Sequence, residues 1–462
     1  MKMWRLQSLV DYWKQLTSGS INRQIFGAAM IVGLLTGLVK VAAVGKELVV
    51  AQRFGTGDDL DAFLIALLVP SFIINVVAGS FNTALIPVYM QVREQEGIKV
   101  AQRLFSGATI SGLGLLGITT IVMVASAHLY LPYIAAGFSP KKLDMTFHLL
   151  CAIAPFVLLS GIIIIWSAVL NAGERFAIAA LSPILTPTIS VLLLLMLKSW
   201  GIFALAAGLV CGAAVEITLL GAALHRQGIS WLPKWYGFDT HLRRVVSQYL
   251  PMIAGGFLMC STNLVDQSMA AMLSPGSVAA LSYGNKLIAF PISLATTALS
   301  TAVIPYFSKM VASKDWIGTH RTLKRYMQII FVTTTLLAGF LFIFSESIVQ
   351  ILFQRGSFTA NDTQLVAQIQ NYFALQIPFY VAGILAVRLI SAMQLNHILM
   401  WGSACNLTIN IFLNYVFMQW FGVTGIALST ACVYIFSFFF LTYFSNKKLI
   451  KQESEYRIQN SE

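Results

Sequence analysis

The chain has 462 residues, 57% hydrophobic and only 10% charged, with a mean hydropathy of +0.77. Soluble domains carry roughly 25% charged residues, so a soluble globular fold is excluded. Apolar runs long enough to cross a bilayer as helices recur along the chain, and the strand alternation of an outer-membrane barrel is absent. The net charge of +12 needs no nucleic acid, because most Lys and Arg fall in alternate connections, as the positive-inside rule requires of cytoplasmic ones.

The pattern predicts an all-α polytopic membrane protein with about twelve spans: residues 25–52, 60–91, 104–127, 145–171, 178–199, 202–224, 247–272, 278–308, 326–353, 366–394, 399–419 and 423–445. Residues 1–24 lack the uninterrupted apolar core of a cleavable signal peptide. Trp4, Leu6, Leu9, Val10, Trp13 and Leu16 suit one face of a helix on the cytoplasmic membrane surface.

The first span holds Lys40, and Lys46 and Glu47 lie near its end. An ammonium at bilayer depth costs about 2.5–3.5 kcal/mol or more, so such residues face a cavity and serve function, or snorkel to the interface. Lys40 and Glu47 share a helix face, and Asp61 opens the second span. That span reads as interrupted around Pro70, Asn75 and Gly79, and the eighth around Gly284, Asn285 and Pro291. Lys286 follows Asn285, and Arg388 lies in the tenth span. We read Lys40, Lys46 and Lys286 as an electropositive lining for a phosphorylated substrate, with Glu47 and Asp61 holding the lysines and Asn285 and Arg388 as further contacts.

A second cluster is neutral but for one acid. Asn263, Asp266 and Gln267 fall on one face of the seventh span, Asn406, Asn410 and Asn414 form a stripe on the eleventh, and Ser429 and Thr430 lie in the twelfth. A carboxylate among amides and hydroxyls suits sodium or a proton as coupling ion, and an Asn stripe also serves as interhelical hydrogen bonding. No other cofactor is expected. The five cysteines are scattered through spans as small core residues, the six histidines form no metal-type cluster, and no Walker loop is present, so an enzyme or ATP-driven pump lacks support.

The halves partly repeat. Pro155-Phe156, Gly161, Ser167-Ala168 and Asn171 are echoed by Pro378-Phe379, Gly383, Ser391-Ala392 and Asn396, and Ala84-Leu85-Ile86-Pro87 by Ala302-Val303-Ile304-Pro305. The copies run in the same order, as parallel repeats do. The expected organisation is a six-helix lobe over 25–224, a cytoplasmic linker over 225–246, a second six-helix lobe over 247–445 and a cytoplasmic tail over 446–462.

Several segments resemble a known family: Val44-Gly45-Lys46-Glu47, Arg53-Phe54-Gly55 and Asp61-Ala62-Phe63; Val265-Asp266-Gln267; Ala279 to Leu287; Leu352 to Thr359; and Asn410 to Asn414. They resemble the MurJ/MviN lipid II flippases of the multidrug/oligosaccharidyl-lipid/polysaccharide exporter superfamily. The resemblance implies two lobes opening in a V by alternating access, and movement of an undecaprenyl-pyrophosphate-linked glycan from the cytoplasmic to the periplasmic leaflet of a bacterial inner membrane. In that family arginines typically match Lys40, Lys46 and Lys286, and lysine lacks their planar fork for phosphate. An arginine pair and an acid of the family are replaced by Ile73-Ile74-Asn75 and Ala78-Gly79-Ser80, and its two further C-terminal helices are not in this sequence. These departures point to a cell-surface or exopolysaccharide repeat unit as the leading substrate. Lipid II for peptidoglycan synthesis is the near alternative, followed by a cation-coupled drug exporter and a non-transporting scaffold for a polysaccharide synthase. The implied partners are the lipid-linked glycan, membrane lipids, and polymerase or glycosyltransferase machinery.

Overall fold

The structure, a computed structural model, describes residues 21–173, 175–229 and 233–459, and every regular element among them is helical. Most of the expected N-terminal surface helix, and Trp231 of the linker, lie outside the described residues. The first elements are α1 (Ile21–Phe54), α2 (Asp58–Ile73), α3 (Ser80–Gln95), α4 (Ile98–Ala125), α5 (Ala127–Ile134), α6 (Pro140–Ala172), α7 (Phe176–Leu181), α8 (Leu185–Met196) and α9 (Phe203–Arg226). There follow α10 (Thr240–Ala270), α11 (Ser277–Ala312), α12 (Trp316–Ile343), α13 (Ser345–Phe353), α14 (Ala360–Ala374), α15 (Ile377–Ala392), α16 (Asn396–Phe421) and α17 (Val423–Gln459).

Among the described residues, 10 helical segments are long and apolar enough to span a membrane. Helices α1 and α16, with 34 and 26 residues, are long enough as well, and α16 is diluted by its asparagines. The expected breaks are only partly found. The second span passes through a π-helical turn at Ile74–Gly79, not a gap, and Pro70 is carried inside α2. Helix α11 runs unbroken for 36 residues through Gly284, Asn285 and Pro291, against the expected interruption. Real discontinuities occur where α7 passes through a 3₁₀ turn at Ser182–Ile184 into α8, and where α14 meets α15 at Leu375 and Gln376.

The helices pack into two units. The first comprises the chain up to Val50, Ile73–Ser126 and His148–Ile253. Its core joins Phe81, Leu85 and Tyr89 of α3 to Leu104 and Phe105 of α4, Ile165 and Trp166 of α6, Leu220 and Leu224 of α9, and Val245 and Tyr249 of α10. Small residues let α9 lie close on α8: a methyl on Gly208 would meet Ser190, and one on Gly212 would meet Thr186. Hydrocarbon tails are as apolar as leucine, so such close packing, not water exclusion, holds helices together in a membrane. The end of the linker packs here too, with Trp235 edge-on to Phe238 and the Arg103 guanidinium 5.7 Å from the Tyr236 ring.

The second unit comprises Ala51–Phe72, Ala127–Phe147 and the chain from Ala254 on. Val366, Ile369 and Phe373 of α14 and Ile377, Val381, Leu385 and Leu389 of α15 are buried at helical spacing in its interior. Its outer surface is apolar: on α12, Val332, Leu336 and Ile343 are exposed. An apolar exterior over polar buried clusters is what a lipid environment demands. Cys151 and Cys211 are exposed, not core residues as expected, and all five cysteines are free thiols.

Candidate functional site

The carboxyl of Asp61, in the first turn of α2, is 1% exposed and fully engaged. Its Oδ2 accepts from Lys142 Nζ at 2.9 Å and from the Gly276 amide at 2.7 Å, and its Oδ1 accepts from the Ala279 amide at 2.8 Å. Asp61 thereby caps α11 from another helix, satisfying orphan amides and lying at the positive end of the helix dipole. Gly276 holds this N-terminus with φ +85°, and a side chain there would strike the Thr56 carbonyl. Lys142, at the start of α6, also pairs with Asp58 at 2.5 Å and stands 4.0 Å above the Phe138 ring.

The connections beside this ion pair are stitched together. The Ser357 amide donates to the Gln52 carbonyl at 2.8 Å, and its hydroxyl to the Arg53 carbonyl at 3.0 Å. The Thr56 hydroxyl donates to Asp362, whose carboxylate closes a capping box with Thr359 at the start of α14. Gly55 and Gly356, with φ of +56° and +58°, allow this approach: a side chain on either would meet the carbonyl of Ser357 or Gln52.

Of the other residues singled out in the sequence, Lys40, Lys46 and Glu47 are half-buried on α1 in the first unit. Glu47 pairs with its neighbour Lys46 at 2.8 Å. Lys286 is exposed on α11 with its ammonium 5.6 Å from the Tyr283 ring, and it belongs to the second unit with Asn285, Asp61 and Arg388. Among the described residues, the cation on Asp61 is Lys142 and none of the three lysines expected. Lys142 is not among the residues that the sequence singles out. The one signal in the sequence is the acidic first turn of this apolar span, Asp58, Asp59 and Asp61.

The structure brings the second cluster together. Asp266 of α10 is 9% exposed, and its Oδ1 accepts from Asn410 at 2.9 Å and Asn414 at 2.6 Å, both of α16. Its Oδ2 accepts from the Thr430 hydroxyl of α17 at 3.1 Å. Ser429 donates to the Asn410 carbonyl at 3.4 Å. Asn414 is fully buried and its Oδ1 has no hydrogen-bond partner. One carboxylate, a hydroxyl and two amides, one of them with an orphaned oxygen, form a donor set that fits a small hard cation, and the acid alone fits a proton. A cavity of about 450 Å³ adjoins it, lined by Asn263, Asn285, Gln376, Tyr380, Arg388 and Asn406 among others. The second unit thus holds two polar clusters built on a buried acid, one on Asp61 and one on Asp266 beside this cavity.

The model of the MurJ lipid II flippase family matches residues 50–459. The chain belongs to the MurJ lipid II flippase family. Probable lipid II flippases are similar over most of their length: that of Synechocystis sp. is 26% identical, covering 94% of this chain and 83% of its own, and that of Thermotoga maritima is 26% identical, covering 88% and 81%. Among solved structures, a lipid II flippase MurJ in an inward closed conformation aligns with a TM-score of 0.79 at 20% identity, covering 92% of this chain and 90% of that one. An inward-facing multidrug resistance MATE family transporter aligns with a TM-score of 0.73 at 11% identity, covering 92% and 99%, which reflects the shared superfamily fold. Four of the seven segments that carry the resemblance to the family, Arg53-Phe54-Gly55, Asp61-Ala62-Phe63, Ala279 to Leu287 and Leu352 to Thr359, meet around the Asp61 ion pair. The protein is a multi-pass membrane transporter of this family.

Proposed function

We propose that this chain carries lipid II, the undecaprenyl-pyrophosphate-linked peptidoglycan precursor, from the cytoplasmic to the periplasmic leaflet. The observation that carries the reading is the match to the family model over residues 50–459. It moves the leading substrate from an exopolysaccharide repeat unit to the alternative, lipid II. Replacement of the family's arginines by lysines keeps the charge that attracts pyrophosphate, and the polyprenyl tail can stay in lipid. The process breaks no bond and draws on an ion gradient or the membrane potential.

In this reading Asp61 and Lys142 form a latch. An acid that ties α2 to the first turn of α11 and to α6 resists any motion that separates those helices, so one step of alternating access parts them. Asp266 with Asn410, Asn414 and Thr430 is the coupling-ion site, for sodium or a proton, and both chain ends face the cytoplasm. The test is complementation of a strain depleted of its lipid II flippase, with lipid II exposed on the outer leaflet measured directly. Growth and restored exposure are expected. Failure of a correctly inserted protein to restore either, with flipping of an exopolysaccharide-linked lipid in a parallel assay, would overturn the reading.

A further inference from the structure

We propose that Glu216 is a proton-carrying site of the first unit, with Ser182 as a hydroxyl switch that satisfies both of its protonation states. Glu216 lies in mid-span on α9 and is 3% exposed. Its Oε1 accepts from the Ser182 hydroxyl at 2.9 Å and its Oε2 from the Thr186 hydroxyl at 3.2 Å. An ionisable group at that depth is costly and marks a proton or ion pathway more often than a packing role.

The surroundings favour a proton over a fixed counterion. The facing elements, α7, the 3₁₀ turn and α8, carry no titratable residue. On α9 the other titratable residues are Cys211, which is exposed, and His225 and Arg226, nine and ten positions on, which is roughly 14 Å along the axis. Arg175 precedes α7, and Lys198 follows α8 at the far end of α9. Of the other helices sharing this core, α6 from Leu149 onward offers Cys151, and α4 from Leu104 onward offers nothing titratable. Arg93 of α3 is spent on the Ala172 carbonyl and Tyr249 of α10 on the Val77 carbonyl, while Tyr89 packs in the core. Gly212, one turn before Glu216, presses α9 onto Thr186 and leaves no space for a long basic side chain.

The helix break supplies the switch. Pro183 has no N–H, so the Ala179 carbonyl, four residues earlier, lacks its helical donor. The Ser182 hydroxyl is 3.4 Å from that oxygen and 2.9 Å from Glu216. With the carboxylate ionised, Ser182 and Thr186 both donate to it. When a proton arrives on Oε1, that O–H donates to Ser182 Oγ and the serine hydrogen turns to the Ala179 carbonyl. One proton is gained, no polar group is orphaned, and no partner moves further than a hydroxyl rotation.

The inference is independent of which lipid is carried. The test is infrared difference spectroscopy of the purified protein in nanodiscs, titrated between about pH 5 and 9, a range that spans perturbed carboxyl groups. Wild type should show a carboxylic acid carbonyl band, shifted by exchange into D₂O, that Glu216→Gln lacks while keeping its fold. Thr186→Val retains the acid but removes a donor that is stronger to the charged form, so the midpoint of that band should rise by about half to one pH unit. If Glu216→Gln does not fold, the Thr186→Val shift decides alone. Identical titrations of wild type and the folded variants, or a band abolished by sodium at constant pH, would overturn the proposal.

Discussion

Asp61, Lys142 and Asp58 show how burial separates two ion pairs that share one ammonium. Lys142 and Asp61 are 9% and 1% exposed in their side chains, whereas Asp58 is 58% exposed. Breaking a buried pair leaves a charge without compensation, typically at 3–5 kcal/mol, while exposed pairs are worth about 0–1 kcal/mol. Lys142→Met should therefore destabilise the protein by about 3 kcal/mol, near the low end of that range because the Gly276 and Ala279 amides still serve Asp61. Asp58→Ala should stay within about 1 kcal/mol of wild type. Thermal unfolding of both variants in one detergent checks this, and equal losses would contradict it.

The lysines of the expected lining make a separate prediction at the same scale. Lys40→Gln and Lys286→Gln should each reduce flipping without changing membrane insertion, and arginine at either position should retain much of the activity, since arginine offers phosphate a planar fork. Full transport by the Lys40→Gln, Lys286→Gln double variant would remove the lysines from substrate binding. The Lys46 ammonium is held by Glu47 at 2.8 Å.

At the scale of elements, glycine decides where helices can touch. Helix α9 packs on α8 through Gly208 and Gly212, and a methyl on Gly212 would fall inside contact distance of the Thr186 backbone. Gly212→Ala should cost about 1–3 kcal/mol, the usual range for overpacking, and should separate Glu216 from Thr186. Gly114 and Gly117 on α4 have open space around them, so alanine there is the matched control and should be close to neutral. If Gly212→Ala were as stable as Gly114→Ala, the two helices would not depend on that contact.

Composition marks where a span lies better than where it breaks, for a physical reason. Proline inside an apolar span need not break it: α2 continues through Pro70 and α11 through Pro291. A break follows at Pro183, where the Ser182 hydroxyl lies 3.4 Å from the Ala179 carbonyl that has lost its helical donor.

For the whole molecule, coupling is the open variable. Asp266→Asn should abolish the dependence of flipping on the sodium or proton gradient, and Asn414→Ala should weaken the response to the ion without abolishing it. Initial rates in proteoliposomes under imposed gradients measure both, alongside thermal stability to correct for loosened packing. Unchanged ion dependence in Asp266→Asn would assign the cluster to structure.

The sequence alone determined the class of the protein, its spans and one of its polar clusters. Hydropathy accumulates over about 20 neighbouring residues, so a span can be read locally, and positions four apart such as Asn410 and Asn414 must share a helix face. Asp266 and Thr430 were legible for a related reason: polar groups in apolar helices have few places to go but toward each other. Tertiary structure alone decided which cation meets which acid. Asp61 lies 81 residues from Lys142 and 215 from Gly276, and no periodicity records such a pairing. The same holds for Glu216, whose hydroxyl donors sit 34 and 30 residues back across a helix break. Charges inside a membrane must be compensated, but the chain sets only that requirement; the packing of helices selects the partner.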